Sequence, residues 1–261
     1  SSEKLLFPAL VLAMVGLAAP AWANTVLYST SFESPTFTTG PLAGQDGWSG
    51  FGPSGASVES FFADTGSQAV FLDGGAASQS GPYYATTSTG PLVDLSADLA
   101  IFTSSTQTEW QFSALAPSLG GFLGGINILA DNSIEAQTAG NPIIGTFARA
   151  TGFNSSAWVN VNLLFDLATQ TYDISVGGVL LDSNVPICGS SSGCTGATLS
   201  TFGDGLFDTF GGGNDSGYMD NYSVTLVTAT PEPGNLGLIA LGLVGIGLVR
   251  RKMQQRSRAV A

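Results

Sequence analysis

Carboxylates are the side chains of this sequence that could most readily take part in catalysis. The chain holds nineteen Asp and Glu residues, two cysteines and no histidine. Without an imidazole there is no Ser-His-Asp or Cys-His nucleophile pair, and no His-ligated zinc or iron site. Glycosidic bond hydrolysis stays open, because a pair of suitably placed carboxyl groups performs it.

The spacing of the acidic residues does not favour such a pair. Glu109 precedes Trp110 in a strand-like run and has no evident partner. Pairs four residues apart stand in turn-like sequence, which favours solvated loop charges; they are Asp94 with Asp98, Asp131 with Glu135, and Asp204 with Asp208. We therefore predict that the protein is not an enzyme. The alternative is an extracellular glycoside hydrolase or polysaccharide lyase.

Two cysteines, Cys188 and Cys194, flank the polar loop 189–193. In an exported protein such a pair is expected to form a small local disulfide. A two-Cys metal site would need further ligands, and a catalytic thiol would need a histidine.

Aromatic side chains could stack on sugar rings, since each offers an apolar face. Tyr83, Tyr84 and Trp110 are the candidate glycan contacts. Adjacent residues of a strand point to opposite faces, so at most one of the two tyrosines is available at a given surface. Trp48 and Trp158 have the setting of core residues.

The elements that must position these side chains are β-strands. Alternating apolar residues over 158–166 and 171–176 predict two strands, and Gly177-Gly178 predicts a tight hairpin turn before a third strand at 179–181. No helical period of useful length lies between the two ends. We expect ten to twelve short strands in an all-β, antiparallel sandwich or jelly roll over residues 24–229. Further strands are predicted at 25–29, 68–72, 83–87, 99–104, 110–115, 125–130, 133–137 and 222–227.

The N-terminus has the pattern of a secretory signal peptide. Lys4 precedes an apolar run over residues 5–19, and the small-residue signature Ala21-Trp22-Ala23 follows. This order of charge, apolar core and cleavage site predicts that residues 1–23 direct export and are removed.

The C-terminus predicts one transmembrane helix over residues 234–249. As a helix this segment would span about 24 Å, slightly short of a hydrocarbon core of about 30 Å, a gap that tilt or bilayer thinning closes. Its basic tail, residues 250–258, includes Arg250 and Arg251. By the positive-inside rule the tail stays in the cytoplasm and the β-rich domain lies outside.

Residues 230–258 together resemble the PEP-CTERM sorting signal of Gram-negative bacteria. The three parts are the motif Pro231-Glu232-Pro233, the Gly-rich apolar segment 234–249 and the Arg-rich tail. The resemblance implies that an exosortase, a membrane transpeptidase-like enzyme, recognises the chain and processes it near the motif. It also implies a protein that is membrane-anchored before processing and then reaches the cell surface or extracellular matrix.

The β-rich domain is similar to concanavalin A-like lectin/glucanase jelly rolls and to carbohydrate-binding modules. The likeness rests on Ser31-Phe32-Glu33-Ser34, Asp46-Gly47-Trp48, residues 66–72 and residues 219–224. In many such modules a glutamate after the first strand and an aspartate in the last strand hold a structural Ca²⁺. The resemblance implies that Glu33 and Asp220 do so here, with Asp73 and backbone carbonyls completing the oxygen cage. The alternative is that these are ordinary turn residues.

Charge limits the partners. Residues 24–230 hold seventeen acids and one base, Arg149, a net charge of about −16. Nucleic-acid binding is excluded, because phosphate contacts need clustered Lys and Arg. We expect an exported surface or matrix protein whose sandwich has a structural role or binds an extracellular polysaccharide.

Overall fold

The computed structural model describes the β-rich part of the chain. Described are residues 24–53, 55–75, 79–102, 109–117, 121–137, 143–147, 157–187, 200–211 and 215–228. Residues 24–227 form one compact unit. The predicted signal peptide, both cysteines and the predicted span at 234–249 lie outside the described residues.

The described residues contain sixteen strands and no helix. No helix of the described part is therefore long and apolar enough to cross a membrane. The strands are β1 (Thr25–Thr30), β2 (Gly40–Pro41), β3 (Trp48–Phe51), β4 (Ala56–Glu59), β5 (Ala69–Asp73), β6 (Gly81–Ser88), β7 (Leu92–Phe102), β8 (Glu109–Leu115), β9 (Phe122–Ile128), β10 (Ile134–Gln137), β11 (Ile143–Phe147), β12 (Val159–Asp166), β13 (Thr171–Val176), β14 (Val179–Pro186), β15 (Phe202–Phe210) and β16 (Ser216–Leu226).

These strands make two antiparallel sheets. The nine-stranded sheet runs β14-β13-β12-β7-β16-β5-β4-β2, with β1 also paired to β16. The seven-stranded sheet runs β11-β10-β9-β8-β15-β6-β3. The predicted all-β antiparallel sandwich is confirmed.

The consecutive antiparallel strands β12, β13 and β14 form where the alternation predicts them. Leu163 pairs with Ile174, and Phe165 pairs with Tyr172. Gly177 and Gly178 join β13 to β14 with φ angles of 59° and 76°. Both angles lie in the left-handed region that glycine enters at little cost, so this turn closes in two residues.

The core lies between the inner faces of the two sheets. Leu95, Leu163 and Val224 from the nine-stranded sheet are fully buried, as are Phe112 and Ile126 from the seven-stranded sheet. Side chains alternate along each strand, and directly paired residues share a face. The intervening residues therefore form an outer face on each sheet.

Five strands were not expected: β2, β3, β4, β11 and β15. The sixteen described strands exceed the ten to twelve predicted. Most of the missed strands are short or glycine-containing, so they lack a clear apolar alternation. β15 is the important omission, since it lies inside the seven-stranded sheet, between β8 and β6.

Candidate functional site

Glu33 and Asp220 hold the same backbone segment, residues 64–68. Glu33 Oε1 accepts the N–H groups of Ser67 at 2.7 Å and Gln68 at 2.8 Å, and Oε2 accepts the Ser67 hydroxyl at 2.8 Å. Asp220 Oδ2 accepts the N–H groups of Asp64 at 3.1 Å and Thr65 at 3.0 Å. The hydrogen bonds from Ser67 lower the pKa of Glu33. Burial raises the pKa of Asp220 to about 6.

Asp73 is not brought to these two carboxylates. It pairs with Ser216 at the far end of β16, four residues from Asp220 and so about 14 Å along the strand. Within the described residues no group of three or more Asp, Glu, Cys or His side chains is placed to hold a metal ion. Calcium binding stays a prediction of the resemblance. The observed contacts favour another role for Glu33 and Asp220, which is to fix the 64–68 segment.

The three candidate glycan contacts lie in different settings. Trp110 has no exposed surface and stacks on Phe207 inside the sandwich, so the prediction that it contacts a glycan is wrong. Tyr84 stacks on Tyr28 on the inner side, with ring centroids 3.6 Å apart. Tyr83 lies on the outer face, paired with Leu206 of β15 and close to Phe51.

Asp204 and Asp208 are not solvated loop charges. Both lie on β15 with their side chains buried, at 1% and 0% exposure. They pair with Leu115 and Gln111 of β8, which places them on the outer face of the seven-stranded sheet. Burial raises the pKa of Asp208 to about 7. The expectation of loop charges is wrong because it missed this strand.

A groove of about 240 Å³ opens on this outer face. Strands β3, β8, β9 and β15 position it, together with Gln79. Its walls are apolar and its floor carries two amides and a hydroxyl. The lining residues are Phe51, Gln79, Gln111, Ser113, Leu115, Phe122 and Leu206.

A chain of side-chain hydrogen bonds crosses the floor. Gln79 Nε2 donates to Asp208 Oδ2 at 3.2 Å and to Gln111 Oε1 at 3.0 Å. Gln111 Nε2 in turn donates to Gln137 Oε1. These bonds link Gln79 to side chains on β15, β8 and β10. When Asp208 is ionised it only accepts hydrogen bonds, so Gln79 Nε2 faces it and the orientations of Gln111 and Gln137 follow.

Some polar atoms of the same face have no hydrogen-bond partner within the described residues. They are Ser113 Oγ, Asn127 Oδ1 and Asp208 Oδ1. The side chains are 1%, 3% and 0% exposed. A buried polar group without a partner costs about 1–3 kcal/mol, so this face departs from the usual rule that buried polar groups are paired.

Glu109 has an acidic neighbour that sequence spacing does not reveal. It lies on the same side of β8 as Gln111, two residues along the strand. Burial raises the pKa of Glu109, and the charge of Glu135 on β10 adds to the rise. The face therefore brings together three acids far apart in sequence, Glu109, Glu135 and Asp208.

On the outer face of the nine-stranded sheet, the described carboxylates and amides hydrogen-bond one another, and Trp158 Nε1 beside them has no partner within the described residues. Asn221 Nδ2 donates to Asp98 Oδ2 at 2.8 Å and to Asp64 Oδ2 at 3.1 Å. Asn160 Nδ2 donates to Asp98 Oδ1 at 2.9 Å. Burial raises the pKa of Asp64, and the charge of Asp98 adds to the effect.

Beside this network lies an aromatic cluster. Phe62 stacks on Trp158 with ring centroids 5.0 Å apart, and both pack against Tyr218. Phe61 is 69% exposed and meets Tyr218 edge to face. Trp158 belongs to this cluster and is only partly buried, so the expectation of a core Trp158 is wrong; Trp48, at 1% exposure, meets the same expectation.

Comparison with solved structures shows the fold. A Bacillus subtilis protein of unknown function with a galectin-like fold matches with a TM-score of 0.55 and 9% identity, over 80% of this chain and 100% of that one. A sialidase matches with a TM-score of 0.52 and 11% identity, over 79% of this chain and 18% of that chain. The CBM22-1 xylan-binding domain from Paenibacillus barcinonensis Xyn10C matches with a TM-score of 0.44 and 15% identity, over 81% of this chain and 100% of that one. No curated protein matches the sequence.

The C-terminal segment matches a family model. The model of the PEP-CTERM protein-sorting motif covers residues 229–252, which include Pro231-Glu232-Pro233 and the start of the basic tail. These residues lie outside the described structure, as do Cys188 and Cys194, whose disulfide stays a prediction. The chain thus carries a PEP-CTERM sorting motif behind an antiparallel β-sandwich, and that motif marks an exported protein that is membrane-anchored before exosortase processing.

Proposed function

We propose that this exported protein binds an extracellular glycan in the groove on the outer face of the seven-stranded sheet. The observation that carries the proposal is the groove floor, where the buried Ser113 Oγ lies beside the amides of Gln79 and Gln111 and has no partner in the described part of the chain. After sorting, the protein presents this groove at the cell surface or in a polysaccharide matrix.

The composition of the groove supports a sugar ligand. Apolar walls with a few fixed polar groups are typical of small-ligand sites. Phe51 and Phe122 offer ring surface to the C–H face of a sugar, while Gln79, Gln111 and Ser113 offer hydrogen bonds to its hydroxyl groups. The volume of about 240 Å³ lies below the roughly 300–1,000 Å³ of drug-sized pockets, which suits a short stretch of a polymer.

A glycan array with the full chain in detergent tests the proposal. We expect binding to at least one polysaccharide, and about tenfold weaker binding by the Gln79→Ala variant. Gln79 is exposed but donates to the buried Asp208, so the unfolding of the variant is measured beside its affinity and binding is compared on the folded protein. Asn160→Ala is the matched control, because Asn160 is an exposed amide on the other sheet that is already paired with Asp98. Failure to bind any glycan, or an equal loss in both variants, would overturn the proposal.

A hydrolase or lyase acting at the same face is the second candidate. It is favoured by the carboxyl groups of Glu109, Glu135 and Asp208, two of which have raised pKa values. General acids in such enzymes need a raised pKa. An enzyme would release reducing ends or unsaturated products from a bound polysaccharide, and Glu109→Gln would abolish the release. Binding without product formation would leave the binding role alone.

Processing near the sorting motif is a separate proposal. We infer that an exosortase cleaves the chain close to Pro233 and removes the apolar segment that follows. Mass spectrometry of the protein from its native host measures the C-terminal residue. A chain that ends near Pro233 supports cleavage, and an intact C-terminus at the cell surface contradicts it.

A further inference from the structure

The amide of Gln79 is held with its nitrogen engaged and its oxygen free. An amide nitrogen carries two hydrogens, and those of Gln79 are directed to Asp208 Oδ2 and Gln111 Oε1. The hydrogen bonds of the Gln79 side chain with described residues all use Nε2, so Oε1 has no partner among those residues, and the side chain is exposed. Gln79 therefore presents an acceptor to whatever enters the groove.

Ser113 adds a hydroxyl that is also unpaired. Its Oγ lies at the groove with 1% of the residue exposed and no hydrogen-bond partner within the described structure. A hydroxyl can accept as well as donate. A ligand that donates hydrogen bonds satisfies both Gln79 and Ser113, whereas an acceptor-only group would satisfy at most Ser113.

The charges around the groove are all of one sign. The carboxyl groups of Asp204, Asp208, Glu109 and Glu135 share this face. The described residues contain no Lys or Arg. Burial already raises the pKa of Asp208 to about 7, and the same surroundings penalise a second carboxylate placed beside it.

We infer that the groove takes a neutral sugar unit, recognised through its hydroxyl donors, and rejects uronic acid and sulfated units. This inference rests on the proposed glycan binding and names its substrate class. Sugar hydroxyl groups supply the donors that Gln79 Oε1 and Ser113 Oγ lack. A carboxylate or sulfate would bring a negative charge to a face where no described cation balances it.

The test uses two oligosaccharides that differ in one group. β-1,4-linked glucose oligomers and β-1,4-linked glucuronic acid oligomers of equal length have the same ring hydroxyls at C2 and C3 and differ at C6. Matched pairs of galactose and galacturonate, and of mannose and mannuronate, extend the panel to other stereochemistries. Affinity is measured by titration calorimetry with the full chain in detergent, at low and at high salt.

We expect the neutral member of a pair to bind at least tenfold tighter, with the difference shrinking at high salt as repulsion is screened. Asp208→Asn should narrow the difference, while Glu59→Gln, which removes a charge from the other sheet, should not. Equal or tighter binding of the uronate would overturn this inference and leave glycan binding standing. Binding of no member in either series would overturn the proposed function itself.

Discussion

Each outer face of the sandwich holds a fully buried aspartate, and the two carboxylates are hydrogen-bonded in different ways. On the nine-stranded sheet, Asp220 is 0% exposed and accepts the N–H groups of Asp64, Thr65 and Asn221. On the seven-stranded sheet, Asp208 is equally buried but has one oxygen bound by Gln79 and the other without a described partner. The first carboxylate is fully engaged by its own chain, and the second is not.

This difference separates a structural network from a candidate binding face. Polar groups that satisfy one another stabilise the fold and need no ligand. Polar groups left unpaired are a cost in the free protein, and a ligand that pairs with them recovers it. Substitution of a polar residue should therefore lower stability on the outer face of the nine-stranded sheet and lower glycan affinity on that of the seven-stranded sheet.

The largest expected effect comes from Asp220→Ala on the outer face of the nine-stranded sheet, which we call the paired face. The substitution leaves three N–H groups without an acceptor, and we expect the free energy of unfolding to fall by about 4 kcal/mol. Urea denaturation of the full chain in detergent measures it. Glycan affinity at the opposite face should be unchanged in the folded protein. A loss below about 1 kcal/mol, or weaker binding by the folded variant, would break the comparison.

Asp208 should make stability depend on pH. Its folded pKa of about 7 lies above the unfolded value of 3.8, so the stabilising contribution is complete below about pH 4 and is lost as the pH rises through 7. Between pH 5 and pH 8 this amounts to about 2–3 kcal/mol. Asp208→Asn should remove that part of the slope and be more stable than the wild type at pH 8.

Thermal unfolding at several pH values measures this slope. The pKa of Asp220 is also raised, to about 6, so the protein loses further stability as the pH rises and the Asp208→Asn variant keeps this part of the slope. The difference between the two proteins isolates Asp208. Parallel curves for wild type and Asp208→Asn would contradict the assignment.

Ser113→Ala should separate stability from binding. Because Ser113 Oγ is buried and has no partner among the residues that the structure describes, its removal is expected to leave stability unchanged or to raise it by up to about 1 kcal/mol. Glycan affinity should fall about five- to tenfold. Denaturation and calorimetry on the same preparation measure both. A destabilised variant, or one with unchanged affinity, would show that the hydroxyl has an internal role.

The hairpin and β15 show what the sequence could and could not predict. The strands around Gly177-Gly178 follow from an alternation of apolar residues that each bury one face. β15 has the sequence Phe202-Gly-Asp-Gly-Leu-Phe-Asp-Thr-Phe210, which resembles a turn. Gly205 is there for packing, since a Cβ at this position would lie 2.1 Å from Tyr222 Oη. Gly205 therefore reflects close packing across the core. Sequence alone does not distinguish a glycine required by packing from one required by a turn.

The groove could not be predicted from the sequence either. Gln79, Gln111 and Gln137 are separated by 32 and 26 residues, and only the order of strands in the sheet brings them together. Amide side chains have no spacing signature comparable to a metal motif. By contrast the sorting motif is local, so its tripeptide, apolar segment and basic tail are visible in one stretch of sequence.

The smallest expected effect is that of calcium. Glu33 and Asp220 already accept six hydrogen bonds between them, all from backbone N–H groups or a hydroxyl. Asp73 lies too far along β5 to join them, and within the described residues no group of three acids is placed to hold Ca²⁺. We expect the melting temperature of the full chain to shift by less than about 1 °C between excess Ca²⁺ and a chelator. A larger rise with Ca²⁺ would show that the 64–68 segment rearranges to admit the ion, and the paired face would then depend on a ligand as the groove does.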